Sequence, residues 1–251
     1  MKIVLLTAVG VGGATVIGSI IGFIFKNLTE KYADKVLSFA AGVMLATSVF
    51  NLIIPSVENE NSYSEIISVV GIFSGSLCIT ILDMFVKKIM FPYYLKFPEN
   101  TENEKTVHGI ILFVSAIAIH NLPEGIAAGV GFGTGNTADA LIIAGSIALQ
   151  NLPEGMVVVS PMLSVGISRS KTFLIAVFTG IIEVIGTLFG YCAVNISNSI
   201  LPFALSFAGG TMIYVICGDM IPETQSVSGK QNTIYSLICG FCLIIILNSI
   251  I

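Results

Sequence analysis

The sequence predicts an all-α integral membrane protein of eight transmembrane helices. Three observations carry that reading. Charged residues make up 10% of the 251 residues and hydrophobic ones 55%, whereas a soluble domain carries about 25% charge. The apolar residues fall into runs long enough to cross a bilayer, which takes about 20 residues of helix. The few basic residues then sort onto one side of those runs. Eight spans leave no room for a separate soluble domain, so residues 1–251 are read as one transmembrane domain. With 15 acidic residues against 11 basic ones, the net charge of -4 argues against a nucleic-acid partner.

The first span, Ile3 to Phe25, is Gly-rich and has only Lys2 ahead of it. Its length favours a retained helix over a cleaved signal peptide. Ala33 to Pro55, Ile66 to Val86, Val107 to Gly131, Ala138 to Leu163, Thr172 to Val194, Ile200 to Ile221 and Ile234 to Ile251 follow. Turn chemistry separates them, as at Pro98-Glu99-Asn100, Gly133-Thr134-Gly135-Asn136 and Ser168-Arg169-Ser170. Lys26, Lys31 and Lys35 surround the first loop, Lys87, Lys88, Lys96 and Lys105 the third, Arg169 and Lys171 the fifth, and Lys230 the seventh. Ten of the eleven basic residues therefore share one face. That fixes a multi-pass cell-membrane protein with both termini outside the cytoplasm, of the bacterial inner or plasma membrane type. Tyr32, Tyr63, Tyr93, Tyr94, Tyr191 and Tyr235 sit near span ends, as interfacial aromatics do. The five cysteines all lie within apolar segments and are odd in number, so no disulfide framework is expected.

Shifting the chain by 168 residues aligns Val16-Ile17-Gly18 and Gly22 with Val184-Ile185-Gly186 and Gly190. The same shift aligns Leu37-Ser38-Phe39-Ala40, Gly42 and Met44 with Leu205-Ser206-Phe207-Ala208, Gly210 and Met212. Spans three and eight align weakly, around Gly71 and Gly240, with a one-residue slip. Spans one to three thus repeat as six to eight. Five spans separate the copies, an odd number, so the repeat is inverted. Such repeats mark secondary transporters, whose sites lie near the bilayer midplane. A first repeat over 1–89 and a second over 169–251 are expected to flank a central metal-binding helix pair over 107–163.

That pair carries a second repeat. His120-Asn121-Leu122-Pro123-Glu124-Gly125 recurs 30 residues later as Gln150-Asn151-Leu152-Pro153-Glu154-Gly155. Both copies fall in mid-span, where a charge facing lipid costs from about 2.5 to well over 10 kcal/mol. On a helix, His120 and Glu124 project from one face, as do Gln150 and Glu154. Asn121 and Asn151 lie about 100° further round and add oxygen ligands at its edge. Pro123 and Pro153 leave the carbonyls of Ile119 and Leu149 without their helical donors. Two carboxylates this close in a membrane repel each other unless a cation lies between them. An imidazole with carboxylate and amide oxygens suits Zn²⁺ or a similar first-row divalent ion better than Ca²⁺ or Mg²⁺. Glu183, mid-span in the sixth helix, stands where the first span has Thr15, and is read as a third carboxylate near a second ion. A buried polar network gluing helices together is the alternative for a lone His or Gln; three mid-membrane Glu with a His favour metal.

The paired His-Asn-x-Pro-Glu-Gly and Gln-Asn-x-Pro-Glu-Gly segments resemble the fourth and fifth helices of the ZIP (Zrt-/Irt-like protein) family of divalent metal transporters. The Gln-first second motif resembles its prokaryotic GufA-like branch. Ala40-Ala41-Gly42-Val43-Met44-Leu45 and the stretch from Leu201 to Glu223 resemble that family's second and seventh helices. The resemblance implies a 3+2+3 arrangement and a two-metal centre. One site would use His120, Glu124, Gln150 and Glu154; the other, Asn121, Glu124, Asn151, Glu154 and Glu183. It also implies alternating access with spans one, four, five and six as the moving unit. Departures from the family are visible too. The loop from Phe97 to Thr106 has no His, only His108 following it, and three acids, Glu99, Glu102 and Glu104. Gln150 stands where many members have His, which widens the choice of ion to Zn²⁺, Fe²⁺, Mn²⁺, Co²⁺ or Cd²⁺. Asn151 stands where some relatives have Asp, which weakens the second site.

Along the path, Met44, Ser48 and Asn51 are expected to line the outer route, and Asp219 and Glu223 the cytoplasmic exit. Asn51 and Asp219 are 168-residue counterparts. Asp83 and Lys87 form an expected i,i+4 pair, and Glu58, Glu60 and Glu65 an acidic outer loop. The leading function is carriage of divalent metal into the cytoplasm, with zinc as cargo and no prosthetic group. A metal-selective channel ranks next. An intramembrane metalloenzyme ranks last, since no His-Glu-x-x-His is present. Expected partners are the metal ion and the lipid bilayer, with a homodimer as the assembly to test.

Overall fold

The computed structural model describes residues 1–25, 30–59, 63–95, 118–164, 166–196, 198–224 and 230–250. Among these, all regular structure is helical. The elements are α1 (Lys2–Ile24), α2 (Glu30–Ala46), α3 (Ile54–Val57), α4 (Ser64–Leu95), α5 (118–130), α6 (Thr137–Ser164), α7 (Arg169–Ile196), α8 (Leu201–Val215), α9 (Ile221–Thr224) and α10 (Lys230–Ile250). Seven helices are long and apolar enough to cross a membrane, counting α2 with α3 and α8 with α9 as single spans. The fourth expected span is described only from residue 118. Lys26, Glu60, Lys96, Glu99, Glu102, Glu104, Lys105 and His108 lie outside the described residues, as do the side chains of Lys31, Lys87, Tyr93, Tyr94 and Lys230. Helix α4 runs past the expected end at Val86 to Leu95.

Two spans are continuous but locally underwound. The second passes through a π-helical turn at Thr47–Ile53 and the seventh through one at Ile216–Met220. The cause is a proline immediately after each turn. Pro55 and Pro222 have no N–H to return to the preceding turn, so the ladder shifts register: Ile54 donates to Val49 and Ile221 to Ile216. Each π turn holds a polar residue of the expected path, Asn51 in one and Asp219 in the other.

Interhelical bonds show the relative helix directions. Ser236 donates to the Lys35 carbonyl at 2.6 Å, and Asn248 donates to the Asn51 side chain at 2.6 Å, so α2 and α10 run parallel. Eight alternating crossings require that for spans two and eight. Helices α1 and α6 are also parallel, because Gly18 rests on the Leu152 carbonyl and Gly22 on that of Met156.

The glycine contacts map the internal symmetry residue by residue. A Cβ on Gly18 would lie 2.3 Å from the Leu152 oxygen, and one on Gly186 2.7 Å from the Leu122 oxygen. Gly22 meets Met156 as Gly190 meets Ile126, and Gly155 meets Thr15 as Gly125 meets Glu183. Positions 168 apart in the outer spans therefore touch positions 30 apart in the central pair. Gly12 and Gly180, themselves counterparts, touch each other, each a little over 2 Å from the other's carbonyl once a Cβ is added. The two copies thus meet on an internal twofold axis. Small residues at such crossings let helices pack backbone to backbone without a hydrophobic drive.

Spans three and eight correct the sequence alignment. Gly75 rests on the Phe207 carbonyl and Gly240 on that of Phe39, while Gly42 rests on Leu237 and Gly210 on Ile72. Since Phe39 and Phe207 are 168-residue counterparts, the equivalents are Gly75 with Gly240 and Ile72 with Leu237. The expected match of Gly71 with Gly240 is one helical turn out of place.

Candidate metal site

The repeated motif lies on α5 and α6, held to α7 and α1 by the glycine contacts. Gly125 and Gly155 sit one residue after Glu124 and Glu154, so the same close approach that packs the helices carries the carboxylates into the interior. Glu124, Gln150 and Asn151 are wholly buried. Glu124 and Glu154 line one cavity, and Glu183 packs against Gly125 and bonds to Asn121 and Asn151, which places three carboxylates in one central layer.

Their hydrogen bonding is unequal. Both Glu124 oxygens, Oε1 of Glu154, both polar atoms of the Gln150 side chain and Oδ1 of Asn151 have no protein partner. Each such buried group costs about 1–3 kcal/mol, more when charged. Glu183 is instead fully engaged. It accepts from Thr15 Oγ1 at 2.6 Å, from Asn121 Nδ2, and at its other oxygen from Asn151 Nδ2 at 2.6 Å.

A cavity of about 190 Å³ opens from this layer. Its inner wall includes Thr15, Asn121, Glu124 and Glu154; its mouth is formed by Asp219 and Glu223. Leu37, near the start of α2, Ile175, near the start of α7, and Val157, in the later part of α6, also line it. It therefore opens on the face that holds the described basic residues Lys35, Lys88, Arg169 and Lys171. His120 lines it as well, with Nε2 turned to Asp219 Oδ2 at 3.3 Å. Among the described residues, no three His, Cys, Asp or Glu side chains are already drawn around a single point where an ion would sit. Of the expected first ligand set, His120, Glu124 and Glu154 line the cavity, His120 facing Asp219, while Gln150 is buried and is not part of its lining.

The residues expected on the outer route, Met44, Ser48 and Asn51, are all buried, and Asn51 is tied to Asn248. Neither the Asn51–Asn248 bond nor the His120–Asp219 pair was anticipated from the sequence. The five cysteines are unpaired and exposed on the outer helix surfaces.

Two inverted helical repeats around an acidic, amide-rich layer open to one face define a membrane transporter. Comparison with known proteins narrows the class. The ZIP Zinc transporter family matches residues 98–248. The zinc transporter GufA of Myxococcus xanthus is 31% identical, covering 94% of both chains. The zinc transporter ZupT of Clostridium perfringens is 33% identical over 91% of this chain and 89% of its own. The zinc transporter ZIPB of Bordetella bronchiseptica is 32% identical over 94% and 77% respectively. The chain belongs to the ZIP zinc transporter family. That membership makes it a transporter and not an enzyme.

Proposed function

We propose that this protein carries divalent metal cations, Zn²⁺ first among them, across a cell membrane into the cytoplasm by alternating access. The observation that carries the reading is the set of unpartnered oxygens on Glu124 and Glu154, which line the cavity, and on Gln150, buried on the helix that carries Glu154. A divalent cation offsets two carboxylates at once and gives each orphaned oxygen a partner. His120 completes the ligand set by turning inward from Asp219, and Asn121, Asn151 and Glu183 close the layer beside it. The amide at position 150 binds less tightly than imidazole, which extends the cargo to Fe²⁺, Mn²⁺, Co²⁺ and Cd²⁺.

The basic residues orient the cavity toward the cytoplasm, with both termini outside. Asp219 and Glu223 then form the exit, and Met44, Ser48 and Asn51 the buried outer route. Repeats over 1–89 and 169–251 frame the central pair over 107–163. Helices α1, α5, α6 and α7, joined by their glycine contacts, move as one unit. Lipid covers the large apolar residues exposed on α4 and α10, and the assembly is a homodimer. The burial of Met44, Ser48 and Asn51 weighs against a channel, because an open pore would be continuous.

Proteoliposomes loaded with a Zn²⁺-sensitive dye test this. Wild type takes up Zn²⁺ with saturation, and Glu124→Ala combined with Glu154→Ala abolishes uptake. Equal uptake by the two proteins would sink the proposal, and flux rising linearly with Zn²⁺ would favour the channel.

A further inference from the structure

We infer that Glu183 is a positioning residue whose hydrogen-bond donors stand in for a second cation, so that each chain binds one metal ion in its central layer. This rests on the transport reading above and deepens it. Thr15, Asn121 and Asn151 all donate to Glu183, and all four residues are at most 5% exposed. A carboxylate accepts only, so each amide must turn its NH₂ toward Glu183 and its oxygen away. An ion bound jointly by the oxygens of Asn121 and Asn151 and by Glu183 needs the reverse. Both amides would have to rotate and release the carboxylate, and the Thr15 bond would have to break. The space such an ion would fill is occupied by N–H protons.

Symmetry explains why the donors converge there. Thr15 and Glu183 are counterparts across the internal axis, and so are Asn121 and Asn151. Glu183 therefore gathers one bond from its own opposite number and one from each central helix. An acid at both 15 and 183, or at 121 or 151, would set like charges together and call for a cation between them. This chain has one acid and three neutral donors instead. The contrast with Glu124 and Glu154, whose oxygens remain unpartnered beside the cavity, divides the layer into one site that wants a cation and one acid that is already satisfied.

Equilibrium dialysis of the purified full chain against Cd²⁺ in detergent micelles at neutral pH, with bound metal counted per chain, tests this. Size-exclusion elution confirms that each variant is folded. Wild type should bind one ion per chain at saturation. Glu183→Gln should also bind one, because the ion's own ligands are untouched. Asn151→Asp should bind two, because it replaces a donor with a second negative charge facing Glu183. Two ions in wild type that fall to one in Glu183→Gln would overturn the inference while leaving the transport reading intact. One ion in Asn151→Asp would also overturn it. No binding by wild type would overturn both.

Discussion

The crossing of α1 and α7 at Gly12 and Gly180 supports a sharp test. A Cβ placed on Gly12 lies 2.2 Å from the Gly180 carbonyl oxygen, and one on Gly180 lies 2.4 Å from that of Gly12. Restoring ordinary contact near 3.5 Å takes roughly 1 Å of helix separation. Thr15 and Glu183 sit three residues further along the same two helices. Their 2.6 Å bond would stretch to about 3.6 Å, beyond hydrogen-bond range. Overpacking costs about 1–3 kcal/mol, and the lost charged bond adds about 1.5–3 kcal/mol. At about 2–4 °C per kcal/mol for a chain of this size, Gly12→Ala should lower the Tm of the purified protein in micelles by roughly 5–24 °C. The control lies next door. Gly13 has nothing within 4 Å of its virtual Cβ, so Gly13→Ala should be neutral or stabilising by up to about 1 kcal/mol, as alanine is in a helix. Thermal unfolding followed by the loss of helical circular dichroism gives the reading. An unchanged Tm for Gly12→Ala, or an equal fall for Gly13→Ala, refutes the packing account.

Asn248→Ala should destabilise by about 0.6–1.7 kcal/mol, the range for membrane hydrogen bonds, because it leaves Asn51 without its 2.6 Å donor. Combining it with Asn51→Ala should cost less than the two changes added together, and strict additivity in that double-mutant cycle would dismiss the pairing. Asp219 is 51% exposed where it meets His120, so Asp219→Asn should cost less than about 1 kcal/mol yet slow Zn²⁺ uptake several-fold. A large loss of Tm, or uptake at the wild-type rate, would count against a role for Asp219 in passing the ion.

The helices and the central layer were legible because membrane chemistry writes them strongly. Charges in the bilayer are costly, so Glu124, Glu154 and Glu183 stand out against an apolar background, and a 30-residue repeat around two of them leaves little room for chance. The offset of 168 was equally clear in spans two and seven, where 61% of an apolar 18-residue stretch of each is buried. It failed for spans three and eight, where only 17% of the corresponding stretch is buried. There most positions face outward and any apolar side chain serves, so the sequence drifts and only Gly75 and Gly240 keep the packing register. The π turns were illegible for a different reason. Pro55 and Pro222 announce that the ladder must change, but a kink, a break and a register shift all satisfy a missing N–H. The pairing of His120 with Asp219 joins residues on different spans, which periodicity does not record.

The internal axis has an electrical consequence. Carrying each cavity-lining position across the axis gives the surface that the opposite opening would present. Leu37 becomes Leu205, Val157 and Val158 become Ala127 and Ala128, Ala176 becomes Ala8 and Met220 becomes Leu52, all of them buried now. The shapes correspond, but the charges do not. His120 maps to Gln150, Asp219 to Asn51 and Glu223 to Pro55, so every ionisable group of the mouth has a neutral opposite number. Two faces of one scaffold thus offer an arriving cation different potentials. In a carrier driven only by concentration, that inequality leaves the direction of net flow to the gradient and sets how long the ion dwells on each side.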